Sequence, residues 1–218
     1  IFLENVRNVF KDETFSVIHS AFEEDYICAK ASINAKAWVP QNRVRAFMLF
    51  FHHDHFSKEF VLTNFQNFLD TLTERGKTED IPFKSVRSKA PSKEEYKIKK
   101  GTWAALQRHK DRHSNAGRGF GYGLVDDNRP TRTLSARYAK DGAEILIKER
   151  YWRQPRKITV EEGLALMGYK KSYAKKYDFK DGFTFPETMS KAQIYKQLGN
   201  SLVPEIVYEI ASFFVKNS

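Results

Sequence analysis

Ala46-Phe47-Met48-Leu49-Phe50-Phe51 is an unbroken apolar run of strand length. A run this short, without helical spacing, reads as a strand of a packed sheet. Ile1-Phe2-Leu3-Glu4-Asn5-Val6 reads as an earlier strand ending at Val6. Its opening triplet resembles the middle of a buried strand, so we expect a further segment upstream. Phe15, Ile18 and Phe22 stand at helical spacing and predict an amphipathic helix over 13–25. Tyr26 to Ile33 reads as a strand, and Pro40 marks a turn before the apolar run. Strand, helix, strand, strand suggests the later half of an α/β sheet.

Beyond residue 58 the pattern changes. Phe60 to Leu72 predicts a helix ended by Arg75-Gly76, and 76–100, Lys-rich with Pro82 and Pro91, predicts loop. Trp103 to His113 predicts a basic helix. Four glycines alternate with other residues from Gly117 to Gly123, which disfavours regular helix. Thr131 to Ile147 predicts two short strands turning at Asp141-Gly142. Thr159 with Glu162 forms a capping box for a helix to Met167, stopped by Gly168. Val203, Ile206, Val207, Ile210, Ala211 and Phe214 give a last helix one apolar face.

The 218 residues are 41% hydrophobic and carry a net charge of +10. That composition supports a packed core and argues against global disorder. No apolar run approaches the roughly 18 residues of a membrane helix. A single cysteine excludes an intramolecular disulfide. From Lys84 to His113, ten Lys/Arg stand against three Asp/Glu, a local net charge of +7. Such a balance points to a polyanionic partner, or at its simplest to a solvated helix face.

Four segments carry a resemblance. They are Leu3-Glu4-Asn5-Val6; Val39-Pro40-Gln41-Asn42-Arg43-Val44-Arg45; Arg156-Lys157-Ile158-Thr159-Val160-Glu161-Glu162 leading to Leu166-Met167-Gly168-Tyr169; and Gln197-Leu198-Gly199-Asn200-Ser201-Leu202-Val203. In that order they resemble the motifs of the C-terminal portion of bacterial-type DNA cytosine-5 methyltransferases. Gly119 to Leu124 and Arg132 to Tyr138 resemble that family's DNA-reading region. The resemblance covers nearly the whole chain. It departs at Trp38, where the family usually has Gly, and at Glu161 and Ala165, where Arg is common.

The resemblance implies an α/β fold. Residues 1–58 and 191–218 would form the later part of a Rossmann-like S-adenosylmethionine-dependent methyltransferase domain. Residues 59–190 would form a smaller mixed α+β DNA-recognition domain. The implied reaction flips a cytosine out of double-stranded DNA, because its C5 and C6 cannot be attacked within the stack. A cysteine thiolate then adds to C6, C5 takes the methyl group of S-adenosylmethionine, and the C5 proton and the thiolate leave. Glu4 would engage N3 and the exocyclic amine, which makes C6 electrophilic. Of Arg43 and Arg45, two apart on a strand and so on one face, one would meet the flipped cytosine or its phosphate and the other brace Glu4.

Asn200 and Ser201 would line the cofactor pocket, though both residue types also suit a helix cap. Arg118 and Lys140 would contact phosphates. Gly119, Gly121, Arg137 and Tyr138 are candidates for base edges, and Thr133 and Ser135 for the phosphates around the flipped nucleotide. Gln41, Arg156 and Thr159 complete the expected DNA-contacting set.

The family's nucleophile lies in a Pro-Cys segment upstream of the first motif. Cys28 sits in a predicted strand without a preceding Pro and reads as a small buried apolar residue. We therefore expect the nucleophile upstream or on a partner polypeptide. His52-His53-Asp54-His55 reads as a polar loop, because no spaced second ligand pair accompanies it, and no metal is expected. The implied location is the cytoplasm of a bacterial or phage-infected cell, on the nucleoid through DNA, and no membrane partner is expected. The alternative function is a non-catalytic DNA-binding remnant or regulatory subunit of such an enzyme.

Overall fold

The computed structural model describes residues 1–89, 94–115, 121–169 and 183–217. By internal contacts the chain divides into two compact units, Ile1–Ala37 with Asn42–Asp80, and Trp38–Gln41 with Ile81–Ser218.

The first unit is built on β1 (Phe2–Val6), α1 (Thr14–Ser20), β2 (Tyr26–Asn34) and β3 (Val44–His52). The three strands form an antiparallel sheet in the order β1-β3-β2. The apolar run Ala46–Phe51 lies in the middle strand and is buried throughout. Alternation of side chains along β3 explains why both of its faces are apolar. Ala46, Met48 and Phe50 pack with Val9, Leu3, Phe10, Phe15, Ile18 and Phe22. Phe51 points the other way and meets the rings of Phe56, Phe60 and Phe65 at 5.1, 6.4 and 5.0 Å.

Phe60–Phe65 forms a π-helical turn that leads into α2 (Gln66–Thr78). The expected stop at Gly76 does not occur. A Cβ at Gly76 would lie 2.6 Å from the Asn34 carbonyl oxygen, so this glycine permits α2 to approach β2 rather than ending the helix. With α2 packed on β2, the sheet-bearing unit extends to Asp80.

The second unit holds α3 (Lys100–Asn115), α4 (Tyr138–Asp141), β4 (Leu146–Ile147), β5 (Arg156–Lys157), α5 (Val160–Leu166), α6 (Lys191–Asn200) and α7 (Pro204–Asn217). Short 3-10 turns at Phe83–Ser85 and Glu94–Tyr96 interrupt the expected loop. The expected hairpin at Asp141-Gly142 is also overturned. Tyr138–Asp141 is a single helical turn, and Gly142 ends it in the left-handed region at φ 35°. β4 pairs instead with β5, ten residues on. Asp-Gly serves a helix stop as readily as a hairpin, because Gly tolerates positive φ in both. The capping box at Thr159 and Glu162 forms as expected, and Gly168 follows at φ 83°. Residues 191–218 belong by contacts to this second unit, where α6 packs on α4 and α5.

Candidate active site and nucleic-acid interface

Glu4 and Arg45 meet because of strand register. Glu4 lies opposite Phe47, and Val6 opposite Arg45. Arg45 is therefore the diagonal neighbour of Glu4 on the same face. Its Nε lies 3.1 Å from Glu4 Oε1, and the two side chains keep only 16% and 15% of their exposure. Burial lifts the proton affinity of Glu4 above the ordinary carboxylate range, although Arg45 and, behind it, Arg43 pull the other way. Burial likewise lowers that of Arg45 against the pull of Glu4. Desolvation thus outweighs attraction for both partners. A guanidinium stays charged regardless, so the shift with chemical consequence is the upward one of Glu4.

Arg43 lies just before β3 and is almost fully buried. Its backbone is fixed twice: its N–H donates to Asn34 Oδ1 at 3.0 Å, and its carbonyl accepts from the Ala35 N–H at 3.0 Å. The structure thus brings Glu4 and Arg45 into contact and sets Arg43 close enough to act on the Glu4 carboxyl through its charge. Cys28, in β2, is half-buried against the cluster around Phe50. Burial pushes its thiol up to about 11.

In the second unit, several residues expected at DNA prove to be interior. Gln41 is fully buried. Its amide donates to the Leu166 carbonyl at 2.6 Å and accepts from the Leu134 N–H at 3.0 Å, stapling two segments together. Tyr138 is also fully buried, donating to the Ile145 carbonyl and accepting from the Ile158 N–H, both at 2.8 Å. Thr159 is the buried N-cap of α5.

Arg156 has no exposure. It makes a two-point contact with Glu162 at 2.7 and 2.9 Å and a third bond to Glu149 at 2.7 Å. Glu162 also accepts from the Thr159 N–H and from the Ser88 N–H and hydroxyl. Burial drives the Glu162 carboxyl up, but the Arg156 and backbone hydrogen bonds outweigh it, and the net shift is downward. Their polar groups are spent inside the protein, so direct DNA contact by Gln41, Tyr138, Arg156 and Thr159 gives way to holding the unit together. The sequence showed Glu162 as a capping residue, but its pairing with Arg156 is tertiary.

Ser135 is half-buried and its hydroxyl donates to Glu144 at 2.6 Å. Thr133 is half-buried, while Arg137 and Lys140 are exposed around α4. Gly121 has φ 148°, and its carbonyl accepts from Arg132 at 2.7 Å. Next to it, Tyr122 packs on α3 against Trp103 at 4.6 Å and beneath Lys110 at 4.4 Å. Arg118 and Gly119 lie outside the described residues.

Asn200 is exposed at the end of α6, and Ser201 caps it with a hydroxyl bond to Leu198 at 2.8 Å. A Cβ at Gly199 would overlap the backbone of Ser135 and Ala136, so α6 reaches that segment only as glycine. His52, His53 and Asp54 bring ligand atoms within 4.8 Å of one another. The 3.0 Å contact of His53 with Asp54 accounts for their closeness.

A carboxyl of raised proton affinity, ion-paired with the partly buried Arg45 and near the buried Arg43, marks the sheet's polar site, and the fold is that of an α/β methyltransferase. The chain matches the model of the C-5 cytosine-specific DNA methylase family over residues 1–216 and belongs to that family. It is 38% identical to the type II methyltransferase M.SsoII of Shigella sonnei, over 96% of this chain and 51% of that protein. Against the type II methyltransferase M.NlaX of Neisseria lactamica the identity is 35%, over 96% and 60%. Against the DNA-cytosine methyltransferase of Escherichia coli K12 it is 31%, over 96% and 48%. The chain thus spans about half the length of these curated relatives. The crystal structure of the Schizosaccharomyces pombe Dnmt2 methyltransferase superposes with a TM-score of 0.71 at 14% identity, covering all of this chain and 66% of that one. This is a likeness of fold. Among the described residues no helix is long and apolar enough to cross a membrane.

Proposed function

We propose that this chain forms part of a DNA cytosine-5 methyltransferase that works on a base flipped from double-stranded DNA. It supplies the base-engaging carboxyl, the DNA-reading unit and part of the cofactor wall. The observation that carries this reading is the Glu4 carboxyl, half-buried, raised in proton affinity and braced by Arg45 at 3.1 Å. A carboxyl of this kind shares a proton with N3 of cytosine and accepts from the exocyclic amine. Both contacts drain electron density from the ring and prepare C6 for attack. Arg45 fixes the carboxyl, and buried Arg43 adds positive potential behind it.

Cys28 is not the attacking thiol. Its sulfur faces a packed cluster, and a thiol held near 11 is almost wholly protonated at neutral pH. The nucleophile comes from a Pro-Cys segment outside these residues, on the same polypeptide or on a partner. S-adenosylmethionine supplies the methyl group. Exposed Asn200 fits a place beside it as an amide able to donate and accept, whereas the Ser201 hydroxyl already serves the α6 cap. The basic helix α3, with Arg137 and Lys140, favours the DNA backbone.

The test pairs this chain with a Pro-Cys-bearing segment from a relative and measures 5-methylcytosine in digested DNA. Product is expected with the native chain. Glu4→Gln is expected to lower the rate by about 100-fold or more while leaving DNA affinity in place. Binding of DNA without methylation, across several such segments, would replace this reading with a non-catalytic DNA-binding module.

A further inference from the structure

The connection between β4 and β5 is a basic hairpin with an aromatic tip. Tyr151 keeps 86% of its exposure. Lys148, Arg150 and Arg153 around it are all exposed, and the Arg150 guanidinium lies 5.4 Å from the Tyr151 ring centre. The one acidic residue of the hairpin, Glu149, is turned inward and held by Arg87 and Arg156. The tip therefore presents three cations and a tyrosine ring with no outward carboxylate.

The base of this hairpin is firmly anchored. Ile147 and Arg156 are buried where β4 and β5 pair. Arg87 donates to the Lys148 carbonyl at 3.1 Å, and the Ile98 N–H donates to the Pro155 carbonyl at 3.0 Å. A tyrosine ring held out in water by a braced support is already ordered for contact and loses little entropy on binding. Gln154 also lines a shallow cavity of about 500 Å³ whose other walls include Lys97, Lys99 and Lys100 together with Glu95, which pairs with Lys191. The hairpin thus lies next to the Lys-rich start of α3.

We propose that this hairpin is a DNA-contacting element, with Tyr151 packing its ring against the sugars and base edges of a groove and Arg150 and Arg153 resting on the flanking phosphates. Arg and Tyr also favour protein interfaces. Three exposed cations at the tip, with the hairpin's one carboxylate turned inward, favour a polyanion. The proposal rests on the DNA-acting reading above and adds a residue that fixes how the duplex is gripped.

The test is binding of the full chain to a fluorescein-labelled duplex of random sequence, by anisotropy over a series of salt concentrations. Tyr151→Ala is expected to weaken binding about tenfold at any one salt, because the ring's apolar contact with the groove is lost. The slope of log K against log salt stays unchanged, since no charge is removed. Tyr151→Phe keeps the ring and the affinity. Arg150→Gln and Arg153→Gln each flatten the slope by about 0.9, the share of one phosphate. If the native chain binds and Tyr151→Ala binds equally well, the proposal is overturned while the DNA-acting reading stands. If the native chain does not bind DNA at all, both fall. Because the ring is exposed, the variant's thermal melt should match the native one, which separates lost contact from lost fold.

Discussion

Removing the Arg156 charge should destabilise the second unit heavily. Arg156→Met keeps the length of the stem but leaves Glu162 buried without a cation, while Glu149 retains Arg87. Truncating one partner of a buried pair costs about 3–5 kcal/mol, and the complete enclosure of Arg156 and Glu162 places this variant near 4 kcal/mol. Against the roughly 5–15 kcal/mol that holds a typical domain folded, that is a large share. Glu162→Gln is milder, about 2 kcal/mol, because Arg156 keeps Glu149. The double variant Arg156→Met/Glu162→Leu removes both charges and should recover most of the loss, since apolar replacement of a buried pair is often near neutral. Urea unfolding followed by tryptophan fluorescence measures this, because Trp38, Trp103 and Trp152, the chain's three tryptophans, all belong to the second unit. A cost below about 1 kcal/mol for Arg156→Met, or a double variant that loses the sum of both singles, would show that Arg156 and Glu162 are not coupled as a buried ion pair.

Glu162 and Glu4 should respond to pH with opposite signs. Glu162 has a lowered folded-state value, so its contribution is present above the ordinary 4.5 and is lost as pH falls through that lowered value. Glu4 has a raised value, so its contribution is present below 4.5 and is lost as pH rises through the raised one. Comparing urea midpoints with Glu162→Gln and Glu4→Gln across this range checks both, and equal slopes would contradict them. Cys28 should react with iodoacetamide far more slowly at pH 8 than a free thiol, and Cys28→Ala should retain methyl transfer in the paired assay above; rapid labelling or lost activity would count against its inert role. Thr159→Ala should cost about 1 kcal/mol by urea unfolding, through loss of the α5 cap. Gly199→Ala should unfold the unit or lower its melting temperature markedly, because a Cβ there has no room beside Ser135 and Ala136.

Much of the framework was legible in the chain because it rests on local periodicity. The three strands of the sheet, α1, the capping box at Thr159 and the last helix all follow from side-chain spacing that burial enforces. Glu4, Arg43 and Arg45 were legible from the motifs they belong to, and antiparallel register then brings Glu4 and Arg45 together. What was not legible depends on distant partners. A single helical turn such as Tyr138–Asp141 is too short to show a period, so Asp141-Gly142 read as a hairpin. Gly76 read as a stop because nothing nearby in sequence reveals the Asn34 carbonyl beneath it. Arg156 read as a DNA contact because an arginine in a basic protein looks outward until its carboxylates are placed. Gln41 and Tyr138 misled in the same way: their polar atoms satisfy backbone groups about 90 and 20 residues away.

The middle position of β3 sets a clock for the sheet. Its amides are tied on both sides, to β1 and to β2, and its side chains are buried above and below. Exchange of those hydrogens with heavy water therefore needs the whole sheet to open. β1 has one neighbour among the described strands and can peel away by a smaller opening. Arg45 is carried on the slow strand and Glu4 on the fast one. The Glu4 carboxyl is thus carried on the strand that opens first, and the guanidinium that holds it on the strand that opens last.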